Sequence, residues 1–398
     1  MRFHVLALPH TITRKDYSAC AFTMKVLKFC KMMTERGHTV IHYGHADSEV
    51  ICTEHVAVTD NEVLRTAYGD HDWRKGFFKY SSDDYAHTTY NTRTISAVGA
   101  RKQKGDFLLL FWGFGHEPIK NAHPDLIALE PGIGCFNKPC CNFNVFESYA
   151  VMSSVYGKHG LKPNWYDAVI PNYFDPADFP ESTNTGAGDA SGDYLLFVGR
   201  IIEDKGVGIA IDIAVAMGMR LLIAGQGDPH TIRKDLPPNV EHVGYVEPAQ
   251  RAALMGGAKA LLAPSHYNEP FGGVTIEALF CGTPTITTDW GGFAENNLHG
   301  VTGYRCRTME QFIWATRQCV DGKISRAACR EWAMRNFSLE RVAELYEEYF
   351  GSLQKVFTDR GFYAKNSERT ELDWLTRRYP TAVLDATATP SEEAPADE

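Results

Sequence analysis

Apolar and polar positions alternate along the chain in two successive series, each of the kind that builds a parallel sheet between layers of helix. Residues 3–8 are a short apolar run stopped by Pro9, which predicts a first buried strand. An amphipathic stretch over about 19–36 predicts a helix ended by Gly37, and residues 38–44 predict the second strand, so the chain opens on a strand–helix–strand unit. Residues 106–113 hold a continuous apolar run after Asp106, the pattern of a strand covered on both faces. Further strands are predicted at 126–130 and 169–172. Between them, residues 45–100 scatter Trp73, Phe77, Phe78, Tyr80, Tyr85 and Tyr90 among charges, and loops and helices peculiar to this chain are expected there.

Residues 181–193 are rich in Gly, Ser and Thr and read as a linker. The alternation then restarts, with strands at 194–199, 220–224, 240–243, 260–264 and 285–288, and helices at 208–217, about 309–319, 325–336 and 339–357. The fold class expected is α/β, with two doubly wound Rossmann-like domains, 1–172 and 173–344, facing each other across a cleft. The Ala/Pro/Glu-rich segment 386–398 is expected to be disordered.

Composition narrows the classes of function. The 398 residues are 44% hydrophobic and 22% charged, the balance of a soluble globular protein. A net charge of −9 argues against a broad nucleic-acid footprint. No apolar run is long enough for a transmembrane helix, and the first apolar run is too short for a secretory signal. Ten scattered cysteines, with Cys140-Cys141 as the one close pair, fit reduced thiols in a cytoplasmic protein and no zinc spacing.

The most informative chemistry lies in residues 269–277, Glu-Pro-Phe-Gly-Gly-Val-Thr-Ile-Glu. Gly272 and Gly273 open a helical segment, with Glu269 before it and Glu277 about one turn inside it. A helix tip without side chains in the way offers free N–H groups to an anion, from Gly273 and Val274 here, and a carboxylate nearby can accept sugar hydroxyls. Such a site suits a sugar joined to a phosphate. Gly199-Arg200, at the end of a predicted strand, and Lys205 five residues on can both reach one diphosphate. Gly225-Gln226-Gly227-Asp228 is explained by turn chemistry alone. Tyr245 follows another strand, where backbone can meet a nucleobase.

In order, Gly-Arg-x4-Lys-Gly at 199–206, Pro-Ser-x3-Glu-Pro-Phe-Gly at 264–272 with its second Glu at 277, Gly-Thr-Pro at 282–284 and Gly-Gly-Phe-Ala-Glu at 291–295 resemble the donor-binding half of retaining glycosyltransferases of GT-B fold, glycosyltransferase family 4. Ile170-Pro171-Asn172, with Asp175 and Phe179, is similar to that family's domain junction. The resemblance covers roughly 170–350 and is weak before it. It implies that Arg200 and Lys205 neutralise the donor diphosphate, that Glu277 binds the ribose, that Glu269 lies near the donor sugar, and that the C-terminal helix, about 345–380, packs back on an acceptor-side first domain. The family's glycine-rich first loop is replaced by residues 9–16, which contain no glycine, so a donor contact there falls to Thr11, Thr13 or Arg14. The family's acceptor-side histidine is also missing, leaving Glu130 at a strand end, or His116, to handle the acceptor proton. Glu147 and Tyr149, in a helix expected to open at about 145, are candidate acceptor contacts.

The function implied is metal-independent transfer of a sugar from a nucleotide diphosphate sugar to an acceptor hydroxyl, with the anomeric configuration retained and no further cofactor. No Asp-x-Asp is read along the chain that would suit a metal–diphosphate bridge, and this supports the metal-independent reaction. Two alternatives stand beside it. One is a nucleotide-sugar-binding protein without catalysis. The other is a glycosyltransferase acting on modified bases in DNA, prompted by Arg65, Arg74, Lys75, Lys79, Arg93, Arg101, Lys102 and Lys104.

Overall fold

A computed structural model describes residues 1–164, 166–180 and 192–358. The first seven strands are β1 (Arg2–Leu6), β2 (Thr39–His45), β3 (Glu54–Thr59), β4 (Phe107–Leu110), β5 (Ile127–Ile133), β6 (Phe143–Phe146) and β7 (Ala168–Val169). They form one parallel sheet in the order β3-β2-β1-β4-β5-β6-β7. The next six are β8 (Tyr194–Val198), β9 (Arg220–Ala224), β10 (Val240–Gly244), β11 (Ala260–Ala263), β12 (Thr285–Thr288) and β13 (Gly303–Cys306). They form a second parallel sheet in the order β10-β9-β8-β11-β12-β13. Each sheet changes direction beside its first strand. The segments leaving β1, β4, β8 and β11 therefore surround two switch points, where folds of this class hold ligands.

Three strands were not anticipated. β3 is only half-buried, β6 is four residues long, and β13 begins at a glycine, so none carries a long apolar run. β6 also corrects the helix expected at about 145. Residues 143–146 are strand, and the helix Tyr149–His159 starts after Ser148, whose Oγ accepts the Val151 N–H at 3.0 Å.

The helix Leu339–Thr358 leaves the second domain and returns to the first. Val342, Tyr346, Phe350 and Leu353 enter the core that holds Phe3, Phe29 and Phe107, with the Phe350 ring 4.7 Å from Phe3 and 4.9 Å from Phe107. Where it starts, the Phe174 N–H reaches Phe337 O at 2.8 Å and the Leu339 N–H reaches Phe174 O at 3.0 Å. The two chain crossings between the domains thus run side by side. The expected linker, apart from residues 192 and 193, and everything expected beyond 358 lie outside the described residues. No described helix is long and apolar enough to cross a membrane.

Candidate active site

The switch-point loops of the two domains face each other across a cleft of about 430 Å³. From the C-terminal domain it is lined by Gly199, Arg200, Lys205, Tyr245, Tyr267, Glu269, Gly272, Gly273, Val274 and Glu277. From the N-terminal domain it is lined by His10, Ser18, Phe22, Lys28, Tyr80, Trp112 and Glu147.

The helix tip has the geometry its glycines suggest. Gly272 has φ +81°, and a Cβ there would sit 2.3 Å from the Phe293 ring, so only glycine fits. No side chain caps the helix Gly273–Phe280, and Thr275 Oγ1 turns back to Gly272 O at 2.7 Å. Among the described residues, no acceptor meets the N–H of Gly273 or Val274. The tip therefore presents its partial positive charge to the cleft.

The two cations differ in their partners. Lys205 ends a 3-10 turn after β8, held close by Gly206, at which a Cβ would lie 2.0 Å from Pro264 O. Its ammonium donates to both oxygens of Glu269, at 2.8 and 3.0 Å, and to the Tyr267 hydroxyl at 2.7 Å. Burial, and then the adjacent Glu269 carboxylate, push the Tyr267 phenol up. Arg200 is exposed, stands 4.9 Å over the Phe77 ring and has no carboxylate partner among the described residues. Arg200 thus rests on a ring with its charge unpaired by any described carboxylate, whereas Lys205 is shared with Glu269.

Glu277 pairs with Arg251, whose Nη2 donates to Oε1 at 3.2 Å while its Nε lies 3.1 Å from Oε2 without making a hydrogen bond. Arg251 comes from the helix Pro248–Gly257, which was not predicted. Across the cleft, the Lys28 ammonium lies 4.1 Å from the Phe174 ring, and burial lowers it to about 8 despite the opposing pull of Glu277 and Asp178. Neither Lys28 nor Arg251 belongs to a motif, so only their three-dimensional placement identifies them.

The N-terminal wall needs several corrections. Thr11 does not line the cleft: it is buried, with Oγ1 bonded to Thr23 Oγ1 at 2.6 Å. Its neighbour His10 does, packed between Tyr80 and Trp112 at ring distances of 4.8 and 4.7 Å, and burial lowers its imidazole to about 3. His116 is away from the cleft. Nε2 bonds to Ala7 O at 3.0 Å, Nδ1 accepts the Trp112 N–H at 3.4 Å, and burial lowers the ring to about 3, so it is a neutral core residue. Tyr149 also lies off the cleft; its N–H and that of Ala150 reach the Glu295 carboxylate at 2.9 and 2.8 Å. Glu147 lines the cleft, but its carboxylate pairs with the buried ammonium of Lys25. Tyr245 lines it too, with its hydroxyl 3.0 Å from Ser18 Oγ and donating to Asp16 O at 3.1 Å.

Glu130 is not at a strand end, because β5 runs on to Ile133. It lines an adjoining pocket, its Oε1 accepts the N–H groups of Cys140 at 2.5 Å and Cys141 at 3.3 Å, and burial raises its carboxyl. Among the described residues, Glu130, Cys140 and Cys141 are the one group whose metal-ligating atoms all lie within 4.8 Å of one another. The Lys120 ammonium on Cys140 O at 2.6 Å makes that a poor place for a cation. All ten cysteines are unpaired.

The first half does contain an Asp-x-Asp, Asp70-His71-Asp72, which the sequence reading passed over. Asp72 accepts the Arg74 N–H at 3.0 Å within its own turn, and neither aspartate lines the cleft. Of the cations that suggested DNA, Arg74, Lys75, Arg93, Arg101 and Lys102 each pair with a carboxylate.

Residues 181–335 match the family model for glycosyl transferases group 1. Over 195 residues the chain is 35% identical to glycogen synthase of Mycobacterium tuberculosis, covering 44% of this chain and 46% of that protein. Over 148 residues it is 32% identical to phosphatidyl-myo-inositol mannosyltransferase of Mycobacterium leprae, covering 35% and 40%. It thus spans less than half the length of these relatives. Among solved structures, sucrose-phosphate synthase of Thermosynechococcus elongatus superimposes with a TM-score of 0.69 at 15% identity, covering 89% of this chain and 99% of that one. AviGT4, a glycosyltransferase involved in avilamycin A biosynthesis, gives 0.67 at 20%, covering 89% and 98%. Anabaena HepE, solved in complex with UDP and glucose, gives 0.65 at 15%, covering 88% and 100%. Two facing parallel sheets and these likenesses agree: the chain is built on the GT-B fold, and its residues 181–335 are similar to the glycosyl transferases group 1.

Proposed function

We propose that the protein transfers a sugar from a nucleoside diphosphate sugar to an acceptor hydroxyl, with retention and without a metal bridging the diphosphate. The observation that carries this reading is that Arg200, Lys205 and the uncapped tip at Gly273 line one cleft. Negative charge grows on the leaving diphosphate, and fixed donors aimed at it lower the barrier. Two cations and a helix tip supply what a divalent ion otherwise would. Glu277, oriented by Arg251, is suited to the ribose hydroxyls, and Glu269 to hydroxyls of the transferred sugar. Retention rests on the family resemblance: the acceptor attacks the face the diphosphate leaves, and the diphosphate takes its proton. The complexes of HepE with UDP and glucose and with UDP-glucose make UDP-glucose the first donor to try.

Release of nucleoside diphosphate from a panel of nucleotide sugars, with chelator present, tests the proposal. Arg200→Ala is expected to slow turnover by about 10²-fold, the usual effect of losing one charge-stabilising donor. Glu277→Ala is expected to weaken donor binding. Unchanged kinetics in both variants would remove the assignment.

A further inference from the structure

Beside the donor cleft, and sharing Phe22, Tyr80 and Trp112 with it, lies a second pocket of about 150 Å³. Its walls are mostly apolar, with Leu110, Phe111, Phe114 and Ile133 among them. A cavity of this size with such a lining accepts one benzene-sized ring. One carboxylate oxygen faces it. Glu130 is 7% exposed, its Oε1 accepts the backbone N–H groups of Cys140 and Cys141, and the Cys140 thiol also hydrogen-bonds to the carboxylate, which leaves acceptor capacity on Oε2. Gly113, at φ +52°, borders this oxygen, and a Cβ there would stand 2.8 Å from it. Glycine keeps Oε2 open to the pocket.

We propose that this pocket is the acceptor site and takes a single aromatic ring with a hydroxyl at each end. The inference rests on the glycosyltransferase reading above. The inner hydroxyl donates to Glu130 Oε2. The outer one projects past Trp112 into the cleft, where its oxygen bonds to the anomeric carbon as the bond from that carbon to the diphosphate breaks and the proton leaves with the diphosphate. A hexose fits these walls poorly. Only Glu130, Asn137 and Lys138 offer it polar side-chain partners there besides Tyr80, Trp112 and the Cys135 thiol, and its remaining hydroxyls would be desolvated against Leu, Phe and Ile.

The probe is 4-hydroxybenzyl alcohol, titrated into the full-length chain by calorimetry, with UDP and methyl glucoside titrated separately. Saturable binding of the ring is expected, weakened about tenfold by Glu130→Gln through loss of a charge-assisted hydrogen bond. Gly113→Ala, which crowds the same oxygen, is expected to weaken it at least as much. UDP affinity should stay within about twofold in both variants, which also reports that they are folded. With UDP-glucose, the ring should become glucosylated. The proposal is overturned if UDP binds and the ring does not, if ring binding ignores both substitutions, or if methyl glucoside binds more tightly in a Glu130-dependent way. Ring binding without UDP binding overturns the acceptor role and the transferase reading together, while leaving a ring-binding pocket.

Discussion

Lys205 holds a position from which stability and donor binding respond with opposite signs to neighbouring substitutions. Its ammonium is divided between Glu269 and Tyr267, and Glu269 is 8% exposed. Lys205→Met leaves that carboxylate buried with no counterion in hydrogen-bond reach. Breaking a fully buried pair costs about 3–5 kcal/mol. Here the two side chains keep 19% and 10% exposure, so water screens part of the loss and about 2–3 kcal/mol is expected. Glu269→Gln leaves the more exposed partner behind and should cost about 1 kcal/mol. In the double variant neither charge is stranded, so a denaturation cycle should return a coupling of about 1–2 kcal/mol. UDP titration separates the roles. Lys205→Met should weaken UDP by about 10- to 100-fold, as expected for one lost charge-assisted contact. Glu269→Gln frees the ammonium for the diphosphate, so UDP should bind somewhat more tightly while sugar transfer is lost. If Glu269→Gln weakens UDP as much as Lys205→Met does, the lysine is a structural counterion and the diphosphate lies elsewhere.

Lys28 supplies a pH test. Its ammonium is lowered from 10.5 to about 8, so between those values the unfolded chain holds the extra proton and this group's contribution to stability rises with pH. A bound diphosphate favours the charged form, so UDP affinity measured by calorimetry should fall as pH rises through about 8, and Lys28→Met should flatten that step. Gly272→Ala forces a Cβ to 2.3 Å from Phe293 at φ +81°; a loss of about 1–3 kcal/mol in denaturation and a sharp loss of UDP binding are expected. Tyr245→Phe removes the hydroxyl that reaches Ser18 and Asp16 across the cleft, and small-angle scattering should report a more open average shape with the fold's melting temperature little changed.

The second domain was more legible than the first, for a physical reason. The loops it turns to the cleft are short, and their residues are constrained by backbone. Gly206 and Gly272 leave no room for a Cβ, so Gly-Arg-x4-Lys-Gly and Glu-Pro-Phe-Gly-Gly can be read as local strings. Lys28 and Arg251 reach the cleft from helix flanks, and local strings do not record that. In the first domain, position within the motif-poor loop 9–16 misled by one residue. Thr11 turns inward to Thr23, and His10 takes the cleft because aromatic rings from residues 80 and 112, far along the chain, close around it. His116 looked chemical because it follows a central strand, but the same position lets its ring reach the backbone of β1's exit loop at Ala7. A strand-end residue is a candidate only if its side chain turns outward, and no local pattern reports that.

Several of the polar bonds between the domains lie beside the loops that line the cleft. Ser148 Oγ donates to Pro270 O at 2.5 Å, directly before the helix tip, and the Glu295 carboxylate sits on the N-terminus of the helix Tyr149–His159. Asn268 reaches Ser154 Oγ at 2.8 Å, and Tyr245 closes the opposite side through Ser18. The Ser148, Asn268 and Tyr245 bonds are single neutral contacts of about 1 kcal/mol net each, and only the Glu295 carboxylate accepts two N–H bonds. Opposite them, at the paired chain crossings, Phe174 and its backbone bonds to Phe337 and Leu339 are buried in aromatic packing with Phe271 and Phe280. Strong apolar packing at one edge and exchangeable hydrogen bonds around the mouth make a hinge with a latch. Under the proposed function, a donor is expected to enter by breaking these polar contacts, and its diphosphate, bound to both Arg200 and the loop carrying Gly272, is expected to favour a closed arrangement.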